Sequence, residues 1–321
     1  MAGKREERRR GTPRAWIVRR MRLPLIIASI ACSLAHADAG REAPALKAGG
    51  GRKPGLVIRV EPGGWGGADT RHIETVLHAV ADTLLSRLPE KLAAPIVVSH
   101  TERAPVALYE RGPGGEYRVR LHARGDKWHL YVYEFAHELC HILSNYEHNV
   151  GPETVKHNQW FEETLCETAS LFTLARLAER WETSPPAPHW AAEARRLRRF
   201  FEHLIAEGHR QLPAHAPLSA WLREHETALR QNPYLREKNE VVANLLLPLF
   251  ASDPQNWDAL AYLNLDPDDA RGTLEDYLRN WYDNAPLEHK RFVAGVLALL
   301  WQGEPPAVGG VVATAPTAAA R

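Results

Sequence analysis

The residues best suited to do chemistry lie in one stretch, Tyr131-Val-Tyr-Glu-Phe-Ala-His137-Glu138-Leu-Cys-His141-Ile-Leu. His137 and His141 are four residues apart, so on a helix both imidazoles leave the same face and can grip one zinc ion. Glu138 projects beside them, placed to take a proton from water rather than to bind the metal. Zinc lowers the pKa of such a water, and a neighbouring carboxylate completes a nucleophile that works near neutrality. Chance alone predicts about 0.07 occurrences of His-Glu-x-x-His in a chain of this composition. The apolar flanks Phe135, Ala136, Leu139, Ile142 and Leu143 argue further that the helix is buried, where two unpartnered imidazoles are costly.

A catalytic zinc site needs a third protein ligand. Glu147 stands where metzincins place theirs, but Ser144 replaces the glycine of that pattern. The methionine turn is also missing, since Met1 and Met21 are the only methionines. The better source is Trp160-Phe-Glu162-Glu163-Thr-Leu-Cys166-Glu167. With it, residues 117–180 resemble the gluzincin zinc metallopeptidases, in which a second helix brings a glutamate about twenty residues after His-Glu-x-x-His.

The resemblance implies that His137, His141 and Glu163 bind one zinc ion and that Glu138 is the general base. It also implies that Glu167 accepts the free N–H of a ligating histidine. Glu162 stays open as an alternative ligand, because it occupies a position where the aminopeptidases of that family have Asn. No Gly-Ala-Met-Glu-Asn segment precedes the helix, so exopeptidase specificity is unsupported. The family's transition-state Tyr or His does not align; Tyr146, His157 and Tyr282 are the candidates. If both helices serve one ion, Cys140 and Cys166 face each other, and in an oxidising compartment a Cys140–Cys166 disulfide is expected.

The elements around these residues follow from periodicity. Short strands are expected at Leu56–Val60, Pro95–Val98, Pro105–Tyr109 and Tyr117–His122, the last alternating with period two. The resemblance implies that Tyr117–His122, directly before the metal helix, is the peptide-binding edge strand, with a plain structural strand as the alternative. A helix capped by Asp69 or Thr70 carries Ile73, Val76, Leu77, Val80 and Leu84 at helical spacing. Further helices are expected near 128–146, 158–181, 189–208, 218–231, 235–251, 272–282 and 287–301. The fold class is therefore α+β: a small mixed sheet, then a mostly helical C-terminal half. Asp266-Pro-Asp-Asp269 fails the spacing of a calcium loop and reads as a helix start. Arg195–Arg199 reads as the solvated face of an amphipathic helix.

Composition bounds the rest. The 321 residues carry a net charge of +1, yet residues 1–37 hold nine Lys/Arg and two Asp/Glu, leaving 31 against 37 beyond them. An acidic remainder is a poor footprint for binding nucleic acid. The basic stretch to Arg22, the apolar run from Leu23 and the Ala35-His-Ala37 ending read as a signal peptide cleaved after Ala37. Met21 offers an alternative start that leaves a conventional short signal. The apolar run is too short for a stable span. The expected organisation is a signal over 1–37, a linker over 38–54, a catalytic core over 55–182, a helical subdomain over 183–302 and a disordered tail over 303–321. The functional expectation is an exported, periplasmic or secreted zinc metallohydrolase acting on a peptide or protein. The alternative is a non-catalytic exported protein that keeps the metal site to bind peptides or for stability. Oligomeric state is open.

Overall fold

The computed structural model describes residues 55–87, 89–149, 156–214 and 216–301. The signal, the linker and the tail from 303 lie outside the described residues.

Four strands, β1 (Ile58–Val60), β2 (Ile96–His100), β3 (Val106–Ala107) and β4 (Tyr117–Leu121), form one sheet in the order β1-β2-β4-β3. β1, β2 and β4 are parallel, with Ile58 opposite Ile96 and Ile96 opposite Tyr117; β3 runs antiparallel, with Ala107 opposite Val119. In β4 the alternation is realised physically: Tyr117, Val119 and Leu121 are buried while Arg118 and Arg120 are exposed. β4 nevertheless lies between β2 and β3, so the edge position expected for it belongs to the two-residue β3. The cause is non-local: the chain from β3 turns at Gly112–Gly115 and inserts β4 beside β2, leaving β3 outermost.

The parallel β1–β2 pair requires a crossover, supplied by α1 (Thr70–Leu84). Asp69 caps it, accepting from the Arg71 N–H at 2.8 Å, and Ile73, Val76, Leu77, Val80 and Leu84 are buried. The metal-motif helix α2 (Trp128–Leu143) packs on α1, on the sheet and on α3 (Gln159–Thr183). α3 is the central helix of the fold, covered by α2, by α4 (Ala191–Ala206) and by α6 (Arg236–Ala251). A helix buried that fully must satisfy its polar side chains internally. Thr164 and Thr168 donate back to carbonyls one turn earlier, and Ser170 reaches the Tyr133 carbonyl of α2 at 2.8 Å. α5 (Leu218–Gln231), a 3-10 segment at Pro254–Tyr262, α7 (Leu274–Asn284) and α8 (Leu287–Leu300) complete the helical half. Their tryptophans, Trp221, Trp257 and Trp281, are buried in the common core. The protein is thus a small mixed sheet followed by the metal-motif helix and a largely helical remainder. Among the described residues no helix is long and apolar enough to cross a membrane.

Candidate metal centre

α2 and α3 bring the motif residues together. His137 Nε2 lies 3.2 Å from Glu163 Oε2, and His141 Nε2 lies 3.7 Å from Glu163 Oε1. One carboxylate therefore faces the Nε2 atoms of both histidines. On the other side of its ring, His141 Nδ1 is 2.7 Å from Glu162 Oε1. Neighbouring residues of one helix thus meet opposite edges of one imidazole.

Burial alone would lower the pKa of His141, but Glu163 and Glu162 outweigh it and push it up to about 10. Burial would raise Glu163, yet His141 and His137 hold it down at about 2. Two carboxylates beside two imidazoles thus stabilise a positive charge. A divalent cation can supply that charge in place of the proton, and nitrogen and carboxylate oxygen are donors that zinc accepts.

Glu138, buried on the same helix, is pushed above the ordinary carboxylate range by burial, with the two histidines pulling the other way. Its Oε2 accepts the Ala107 N–H of the edge strand at 2.6 Å. One turn earlier, Glu134 Oε2 accepts the His122 and Ala123 N–H groups at 2.8 and 2.9 Å. Two carboxylates thus fasten α2 to the ends of β3 and β4.

These residues open into a cleft of about 440 Å³. Val106, Ala107, Gln159, Tyr234 and Arg236 line it, together with the stacked rings of Tyr109 and Tyr146, 5.2 Å apart. Gln159 donates to the Tyr234 hydroxyl at 2.9 Å and also hydrogen-bonds Glu163. Of the three transition-state candidates, Tyr146 lines the cleft and gives its hydroxyl to the Leu108 carbonyl. His157 instead bonds the Arg271 carbonyl at 3.0 Å and Arg230 at 2.8 Å, and Tyr282 stacks under Lys290. Glu147 is turned to Arg111 at 3.2 Å and accepts the Tyr117 hydroxyl at 3.1 Å, and it does not line the cleft.

Two expectations need correction. Cys140 and Cys166 are free, buried thiols and not a disulfide. They do meet, sharing a hydrogen bond, but burial pushes the Cys166 thiol well up, away from the thiolate that disulfide formation requires. Glu167, expected to hold a histidine ring, instead accepts Arg210 Nη1 at 2.7 Å and the Tyr133 hydroxyl. The acid beside a histidine Nδ1 is Glu162.

Arg210 and Arg236, which no motif singles out, pair with acids that line the cleft. Arg210, 1% exposed in its side chain, pairs with Glu167, Glu240 and Glu207 at 2.7, 2.8 and 2.9 Å. Arg236 adds a 2.7 Å contact to Glu240. Glu207, His209 and Glu240 present ligand-type atoms within 4.8 Å of one another, but Arg210 already supplies their cation. His137, His141 and Cys166 form a second such group. Cys166 is fully buried and does not line the cleft, whereas Glu163 does.

The His137-Glu138-x-x-His141 cluster with its downstream α3 glutamates matches a gluzincin-type metal site. No protein-family model, curated protein or solved structure matches the chain.

Proposed function

We propose that the protein is an exported zinc metallopeptidase of gluzincin type, with one ion held by His137, His141 and Glu163. The observation that carries this reading is the convergence of two imidazole Nε2 atoms on one carboxylate, at 3.2 and 3.7 Å, at the floor of a cleft. Glu163 is preferred over Cys166 because a carboxylate facing solvent needs no deprotonation inside the core, and a buried thiol does. It is preferred over Glu162 because Glu162 is engaged at the opposite ring edge.

Bound zinc supplies a Lewis acid that polarises a carbonyl oxygen and acidifies water. Glu138 accepts the proton of the attacking water and delivers it to the departing amine nitrogen. Burial makes its carboxylate more basic, which suits a group that must take a proton and hold it between those two steps. β3 lines the cleft and can guide an extended peptide past Glu138, although its Ala107 N–H is already given to the Glu138 carboxylate. Tyr109, Tyr146 and Tyr234 wall the path, and Arg236 marks its charged end. We assign residues 55–182 to the catalytic core and 183–302 to a helical subdomain that completes the cleft.

The test is metal analysis of the purified protein, followed by digestion of a peptide mixture before and after chelation. The reading requires about one zinc per chain and cleavage that chelation removes and added zinc restores. Metal-free protein, or cleavage indifferent to chelation, defeats it.

A further inference from the structure

Two non-glycine residues among those described have left-handed backbones, Asn145 at φ 58° and Asn264 at φ 57°. Asparagine is one of the few residues that tolerate this region. Both are buried, and they clasp each other's segments. Asn145, directly after α2, donates its amide to the carbonyls of Ala261 and Leu263 at 3.0 and 2.8 Å. Asn264 donates back to the Ser144 carbonyl at 2.8 Å and, from the same nitrogen, to Glu162 Oε2 at 3.1 Å. Its amide oxygen accepts the hydroxyl of Tyr277 on α7 at 2.9 Å. The amide orientation follows from its partners, since a carbonyl and a carboxylate can only accept.

We propose that Asn264 is a positioning residue for the metal centre, acting on His141 through Glu162; the proposal rests on the zinc reading above. Glu162 has both oxygens committed, Oε1 to His141 Nδ1 and Oε2 to Asn264. Its rotamer is therefore fixed from behind. A carboxylate held at Nδ1 keeps the proton on that nitrogen and leaves the Nε2 lone pair for a metal. The run Tyr277, Asn264, Glu162, His141 is a buried line of hydrogen bonds from the C-terminal helices to the site. None of Tyr277, Asn264 and Glu162 lines the cleft, so the line can act on the metal centre without touching a substrate. It also accounts for adjacent glutamates with separate tasks, Glu163 turned forward and Glu162 turned back.

The experiment measures zinc affinity by competition with a chromogenic chelator for wild type, Asn264→Gly, Glu162→Gln and the double variant. Glycine accepts the left-handed backbone and deletes only the amide. Each single variant is expected to lose affinity about tenfold to a hundredfold, the effect of removing a partner behind a ligand. The double variant should lose no more than the weaker-binding single, because Asn264 works through Glu162. With zinc saturating, peptide cleavage should show KM unchanged and any loss in kcat. Wild-type affinity in Asn264→Gly, or losses that multiply in the double variant, overturns the proposal while leaving the zinc reading intact. A wild-type protein that binds no zinc removes both. Should Asn264→Gly not fold, Tyr277→Phe leaves the backbone untouched; a several-fold loss supports the line and an unchanged affinity overturns it.

Discussion

Replacing Arg210 with methionine removes the cation around which three helical segments close. Its side chain is 1% exposed and its partners Glu167 and Glu240 are 5% and 4% exposed. Unit charges about 4 Å apart attract by about 4 kcal/mol at an effective dielectric of about 20. The desolvation of all three groups offsets much of that gain in the intact protein. The variant, however, keeps the desolvated carboxylates and loses their partner, a change that costs about 3–5 kcal/mol in other buried pairs. Arg236 stays 2.7 Å from Glu240 and 4.0 Å from Glu167 and continues to compensate part of the charge. The expected loss therefore falls at the lower end, about 3 kcal/mol. That is a large share of the roughly 5–15 kcal/mol that holds a domain folded.

Urea unfolding at pH 7 reads the loss as a lower midpoint at unchanged slope. The pH dependence gives a second reading. Burial would raise Glu167, but Arg210 and Arg236 outweigh it and hold its carboxyl below the ordinary 4.5. A lowered carboxyl pKa contributes stability that is complete above 4.5 and fades as pH falls through the folded value. The gap between wild type and variant should thus narrow below about pH 4.5. Adding Glu167→Gln to the variant should recover part of the loss by removing a stranded charge. An Arg210→Met protein as stable as wild type at pH 7, or a gap that widens on acidification, refutes the reasoning.

Further outcomes follow from single residues. His137→Ala, His141→Ala and Glu163→Gln should each abolish stoichiometric zinc by elemental analysis, whereas Glu162→Gln at micromolar protein should retain it; the reverse result for the two glutamates exchanges their roles. Unreduced, denatured protein should alkylate at both Cys140 and Cys166, and reductant should leave its melting temperature unchanged; a bridged peptide in the mass spectrum contradicts this. Gly64→Ala should lower the melting temperature, because the backbone sits at φ 82° and a Cβ would come 2.5 Å from the His100 ring. A positive φ in a non-glycine residue costs about 1–3 kcal/mol, and a melt within error of wild type would contradict the placement of that loop.

What the sequence revealed was local. The four-residue spacing of His137 and His141 needs only a helix to align them, and the alternation of Tyr117, Val119 and Leu121 needs only a strand to bury them. What it concealed depends on partners far along the chain. β4 looks like an edge strand until a two-residue strand, with almost no pattern of its own, is found outside it. Glu167 sits one turn from Glu163 and so reads as a histidine partner. Its true partner is Arg210, 43 residues away, which draws it into the helical half. Glu162 and Glu163 are indistinguishable by type and adjacent in sequence. Only the rotation of α3 against α2, and an asparagine 102 positions downstream, separate their tasks. The cysteines face each other, as their spacing from the motif residues implies, but facing leaves open whether they are joined, and in the structure both are free thiols.

If Glu138 moves the proton at a zinc centre in a peptidase, replacing it with glutamine must separate metal binding from cleavage. Wild-type protein and Glu138→Gln are assayed side by side for bound zinc and for cleavage of a peptide mixture. Glutamine preserves shape and can keep zinc at the site, since Glu138 is not among the assigned ligands, but it cannot accept a proton. About one zinc per chain is expected in both proteins. Cleavage is expected from the wild type alone, with a loss of at least about a hundredfold in the variant. Equal cleavage by both proteins, or no cleavage by zinc-loaded wild type, contradicts that role.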